Sequence, residues 1–172
     1  MRKVATLAVL FALVTMATGL VAAQQATPTP HERIKRSWHA VHKKLMDMAE
    51  DFPEDLYDYR PHPDVRSFGE ELMHLAQVDT VVAQIASGRT DSFGTIFQEL
   101  NEEYKYTSKA DTVAKLKKSI EDCEVAVNAE DNSRLIGLIE HAGEHYGKLV
   151  VHYRNNGLVP PSTRARQQRS GS

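Results

Sequence analysis

Apolar residues recur at alternating steps of four and three along this chain, in four separate runs, and no segment shows a convincing strand alternation. The first run is Ile34, Trp38, Val41, Leu45, Met48 and Phe52, stopped at Phe52-Pro53. The second is Phe68, Leu72, Leu75, Val78, Val82 and Ile85. It follows Ser67-Phe68-Gly69-Glu70, the spacing of a capping box, and ends at Ser87-Gly88. Ser108 opens the third, Val113, Leu116, Ile120, Cys123 and Val127. Asp131 or Asn132 opens the fourth, in which Leu135, Leu138, Ala142, Tyr146, Leu149 and Tyr153 face inward and Asn155-Asn156-Gly157 ends the helix. A helix with one apolar face must bury it against others. The expected fold is therefore all-α, a four-helix bundle with a longer connection between helices 2 and 3. Within that connection Phe93, Ile96, Phe97 and Leu100 suggest a short helix, expected over one end of the bundle. The link DLYDYRPHPDVR, broken by prolines, reads as irregular.

Ahead of the first stripe, Arg2 and Lys3 precede an apolar run, and Val21-Ala22-Ala23 offers small residues for cleavage before Gln24. Residues 1–23 read as a signal peptide, with an uncleaved anchor as the alternative. Residues 24–30 follow as a leader, 31–162 as the folded domain, and 163–172 as a disordered tail carrying Arg164, Arg166 and Arg169. An exported protein is expected, periplasmic or secreted, with no membrane span once the signal is removed. Loss of Arg2 and Lys3 leaves 19 basic against 23 acidic residues, a net charge of −4 that argues against nucleic acid as a partner. Cys123 is the one cysteine, so no internal disulfide forms, and its place on an apolar stripe marks a buried, inert thiol.

Histidines carry the chemical signal. In HAGEHYGKLVVHYR, His141 and His145 stand at i and i+4, about 40° apart around a helix, and can reach one ion. A pair alone is not a site, so a third ligand must come from another helix. His74, beside Val78, Val81 and Ile85, lies at the edge of the second stripe. There it either completes the site or hydrogen-bonds a buried carboxylate or carbonyl. Three neutral imidazoles would hold a divalent metal ion, zinc or nickel, with coordination positions left open. His39 and His42 read as ordinary, partly exposed residues, and His31 and His62 fall in terminal or irregular segments. His152 is eleven residues beyond His141, about 16 Å along the axis at the usual helical rise, too far to share an ion.

The run from His141 to His145 also spells H-x-x-E-H, an inverted zinc-protease signature. That chemistry needs a carboxylate ligand downstream, and no Asp or Glu follows Glu144, so the protease class is rejected. Glu144 is read as an acceptor behind a ligand, a helix-surface ion pair or a contact with a neighbouring subunit, with general base as the remaining role. Neither a phosphate-binding glycine loop nor a serine elbow is present.

Taken together, HAGEHYGKLVVHYRNNGLVPPSTR, with Tyr153-Arg154 and GLVPPS from Gly157 to Ser162, and upstream YRPHPDVRSFGEELMHLAQVD, resemble the DinB and YfiT-like superfamily in its DinB-like domain branch. The likeness runs from Trp38 to Ser162. It implies a four-helix bundle with a three-histidine metal site, carried over here to His74, His141 and His145, and frequent homodimers. Some relatives are transferases or isomerases that use cytosolic low-molecular-weight thiols, which an exported protein would not meet at cytosolic concentrations. Two expectations follow. One is a metal-dependent hydrolase or transferase acting on a small-molecule substrate that the sequence does not name. The other is a non-catalytic metal-binding or interaction module of the cell envelope.

Overall fold

Thr29 starts the first helix. Its hydroxyl accepts from the Glu32 N–H at 3.2 Å, the Glu32 carboxylate accepts from the Thr29 N–H at 2.7 Å, and Pro30 takes the first helical position, where no amide donor is needed. The computed structural model describes residues 27–171. The signal-peptide reading of residues 1–23, and residues 24–26 of the leader, lie outside the described residues. The last residues of the expected leader are the helix cap itself.

The described residues are all-helical, with no strand: α1 (Pro30–Asp51), a 3-10 turn (Glu54–Leu56), α2 (Phe68–Ala86), α3 (Phe93–Glu99), α4 (Lys109–Val127), α5 (Leu135–Asn155) and α6 (Pro161–Ser170). Ser67 and Glu70 form the expected capping box on α2, and Ser108 accepts from the Asp111 N–H to start α4. The expected stops also hold. Gly88 and Gly157 take φ of 102° and 70°, a left-handed backbone that a side chain would strain. α5 begins at Leu135, preceded by a turn in which Leu135 and Ile136 donate to the carbonyls of Asn132 and Ser133.

α1 packs against α4 and α5, and α2 packs against the same two helices. α1 and α2 meet across the core, where Phe52 stacks on Phe68 with ring centroids 3.8 Å apart and Tyr57 and Tyr153 close around them. Tyr57 comes from the link read as irregular, and its hydroxyl donates to the Ala49 carbonyl. A second cluster joins Trp38, Val78, Cys123, Val127, Leu135 and Leu138. Cys123 is buried, as expected, and burial pushes its thiol pKa up, so it stays protonated.

α2 departs most from a one-faced helix. Beyond its stripe it buries Met73, Ala76, Val81 and Ala83, and also the polar Glu71, Gln77 and Asp79. The segment after it explains this. The connection runs back along the flank of α2 rather than over an end of the bundle, as Gln77 Nε2 donates to Phe97 O at 2.7 Å and Asn101 Oδ1 at 2.8 Å. Thr80 and Tyr104 hydroxyls meet at 2.6 Å further along the same flank. With α4, α5 and this segment around it, α2 has little solvated face left, and its buried polar groups need protein partners.

His42 is one such partner, and its reading as a partly exposed residue is corrected: it is 2% exposed. Its ring stacks on Trp38, Nδ1 donates to the Trp38 carbonyl at 2.9 Å, and Nε2 lies 3.1 Å from Asp79 Oδ2. Burial is the largest influence and pulls its pKa down, but the Asp79 charge and these hydrogen bonds raise it above the ordinary value.

The tail is corrected too. Residues 163–172 were expected disordered, yet Pro161–Ser170 form a helix that touches α1. Arg164 bonds Asp51 at 2.5 Å, and the hydroxyls of Tyr146 and Ser162 meet at 2.5 Å. Among the described residues no helix is long and apolar enough to cross a membrane.

Candidate metal centre

Glu71 of α2 meets His145 of α5, and one turn further along α2 His74 meets His141, one turn back along α5. The two helices therefore pass in opposite directions, and i, i+3 on one matches i, i+4 on the other. This register brings three imidazoles to one point. The donor nitrogens of His74, His141 and His145 all lie within 4.8 Å of one another. Nε2 of His74 and Nε2 of His141 are 3.1 Å apart. Two nitrogens at ordinary zinc–nitrogen bond lengths around a tetrahedral ion would stand about 3.3 Å apart. Ring centroids are 4.4 Å apart for His141 and His145, 4.9 Å for His74 and His145, and 5.1 Å for His74 and His141.

His145 is oriented from behind. Its Nδ1 donates to Glu71 Oε2 at 2.5 Å, and both side chains are buried, which leaves the Nε2 lone pair for a shared ion. Carboxylate–histidine pairs of this kind set the tautomer and increase ligand basicity. Burial raises the Glu71 pKa, but the hydrogen bond and charge of His145, with lesser help from Lys148 and Arg66, bring it below the ordinary value, so it stays ionised. Arg66 lies 3.8 Å from the same carboxylate oxygen.

Burial, then the charge of Arg66, pushes the His74 pKa down to about 3. Burial, then His145, lowers that of His141. Both are therefore neutral near pH 7, the form a metal ligand must take. The donor set, its spacing and the carboxylate behind it fit a divalent ion.

The same shifts make the metal-free protein acid-sensitive. A histidine whose folded pKa is depressed lets the unfolded chain bind the proton first, so stability falls as pH drops below about 6.5. His74, His141 and His152 act in this direction, as does the lowered Glu71 at more acid pH, against the raised His42. Thermal melting of metal-free protein should thus move to lower temperature between pH 6.5 and pH 4. A melting temperature constant over that window would contradict neutral, desolvated imidazoles.

Two hollows flank the triad, and His74 and Phe97 border both. One, of about 480 Å³, is mostly apolar, with Val78, Leu138 and Phe93 in its wall and His141 on the triad side. The other, of about 560 Å³, is the more polar of the two, with Arg66, Gln77, Asn101 and Lys105. The Phe97 ring meets His74 edge-on at 5.8 Å. His74 and His141 are half-buried, His74 bordering both hollows and His141 the apolar one, whereas His145 is buried behind them. The site lies on the flank of the α2 and α5 pair, not at a helix end.

Glu144 is exposed, and its charge reaches His141 as one of the lesser influences on that group. The carboxylate behind a histidine of the triad is instead Glu71, which the sequence reading missed. Its one sequence signal is its position three residues before His74, in GEELMH. His152 is buried against Phe68 and Tyr59 and takes no place in the triad. Glu71→Gln keeps the side-chain shape and removes the charge. It should weaken metal binding about 10- to 100-fold, measured by competition with a chelator; unchanged affinity would reduce Glu71 to a space-filling role.

No curated protein matches this chain. A family model described as the DinB superfamily matches residues 37–153, a span that contains Glu71, His74, His141 and His145. Covering most of the described helices, this match agrees with the resemblance of the HAGEHYG and SFGEELMH segments, and the chain belongs to the DinB superfamily.

Proposed function

We propose that this is an exported, metal-dependent hydrolase or transferase acting on a small molecule, built as a four-helix bundle that holds zinc or nickel through His74, His141 and His145. The observation that carries the reading is the convergence of three imidazoles with His145 already oriented by Glu71. A bound ion would supply Lewis acidity, polarising a substrate atom or lowering the pKa of water. The protein's own groups do the rest. Glu71 holds the His145 tautomer, Arg66 keeps positive charge near the triad, and Phe97 divides the two hollows through which a substrate reaches His74. Export follows from the reading of residues 1–23, and a homodimer from the family.

A second reading is a non-catalytic metal-binding or interaction module of the cell envelope. It is favoured by the lining of the apolar hollow, which contains no carboxylate to act as a base. In the polar hollow Glu70 is already held by Arg60 and by the Ser67 amide.

Elemental analysis of purified protein separates these readings from a metal-free one. One zinc or nickel ion per chain supports the site and justifies a hydrolase and transferase screen. A well-folded protein that takes up neither ion would sink both metal readings.

A further inference from the structure

The apolar hollow has a wall chemistry that selects its occupant. Val78, Val82 and Leu138 are aliphatic, and Phe93 and Phe97 stand nearly parallel, at 17°, with centroids 6.0 Å apart. Gly94 and Gly137 also stand on the lining. A β-carbon built on Gly94 or Gly137 would meet nothing within 4 Å, so larger side chains at these positions would project into space rather than into neighbours. Arg134 is the one formally charged residue on this lining. It forms no ion pair within 4.0 Å among the described residues. The nearby Asp131, which feels its charge, already accepts from the Ser133 N–H at 2.9 Å. The exposed Gln98 amide is the remaining polar group apart from the two histidines.

We propose that this hollow binds a small molecule with a flat, aromatic body and an anionic group, the body between Phe93, Phe97 and the aliphatic wall, the anion at Arg134. The volume of about 480 Å³ is that of a small-ligand site. An anion is the matching charge because the lining offers a guanidinium and no carboxylate. This occupant lies beside His74 and His141, so the inference names the substrate class of the proposed metal site and rests on that reading.

Naphthalene-2-sulfonate is a suitable probe, since a sulfonate is a poor metal ligand, and methyl 2-naphthyl sulfone is its uncharged counterpart. Binding is measured calorimetrically on the full chain, with zinc content determined on the same samples. Gly137→Leu should fold at least as well as the wild type, because leucine favours helix over glycine and no atom stands in its way. It should weaken sulfonate binding at least about tenfold, and Arg134→Gln should weaken it about tenfold while leaving the sulfone unaffected.

Sulfonate binding that is absent, or indifferent to Gly137→Leu, overturns the proposal. Equal sulfone and sulfonate binding, unchanged by Arg134→Gln, overturns its anionic part. A wild-type dimer that Gly137→Leu turns into monomer makes a second copy the occupant and also overturns it. Zinc bound without probe binding removes the substrate class alone, whereas probe binding of the expected pattern without zinc supports the hollow and removes the metal reading alone.

Discussion

The double variant His74→Ala/His141→Ala should purify without divalent metal and remain folded. Each change removes one donor nitrogen from a group whose members lie within 4.8 Å, and His145 alone cannot hold an ion against water. The two imidazoles are half-buried at the edge of the core, so their loss leaves the Phe52, Phe68 and Tyr153 packing untouched. The readout is therefore differential. An ion that binds only the folded chain stabilises it by mass action, about 2.7 kcal/mol at one hundred times the dissociation constant. Wild-type protein should melt at higher temperature when zinc is added, and the variant should not. A variant that still takes one ion per chain with the parent's affinity would place the site elsewhere.

Phe68→Ala should be the most destabilising single change in the core, at about 3 to 5 kcal/mol by the large-to-small rule. Phe68 is fully buried at the start of α2. It stacks on Phe52, the residue that caps the end of α1, and its ring lies 5.1 Å from Tyr57 of the link, 6.0 Å from Tyr153 and 5.8 Å from His152, both of α5. One truncation thus opens a void against two helices and the link, and aromatic neighbours on rigid backbones cannot easily collapse into it. Denaturant unfolding measures the loss. A cost below about 1 kcal/mol would show that the ring is not a structural keystone.

The four amphipathic helices and most of their caps were legible from local rules, the exception being α5, which starts at Leu135 rather than at Asp131 or Asn132 and has no side-chain cap. Ser67 and Glu70 form their box, Ser108 caps α4, and Gly157 ends α5 with positive φ, because each of these depends on residues within one turn. The spacing of His141 and His145 is likewise local. His74 could be singled out because it stood at the edge of an apolar stripe, and family resemblance then joined it to the pair.

What escaped was set by distant parts of the chain. The stripe on α2 marks its apolar face, but nothing within that helix says that residues 93–104 return along its flank and bury Gln77 and Asp79 as well. His42 read as an ordinary, partly exposed residue, but Asp79 stands opposite it, 37 positions away. Glu71 is one of two acids in the first turn of α2, and only the antiparallel register of α2 and α5 puts it on His145. The tail looked disordered by composition, yet Arg164 finds Asp51 across 113 positions.

Periodicity and caps act through bonds and contacts a few residues long, so the chain alone settled that the four amphipathic helices form, where they stop and which histidines share a helical edge. Packing settled the rest: the register that brings His74 to His141 and His145, the burial of Glu71 behind them, and the hollows on either side of Phe97. A buried charge is tolerable only beside its partner, and which partner that will be is known only once the helices have met.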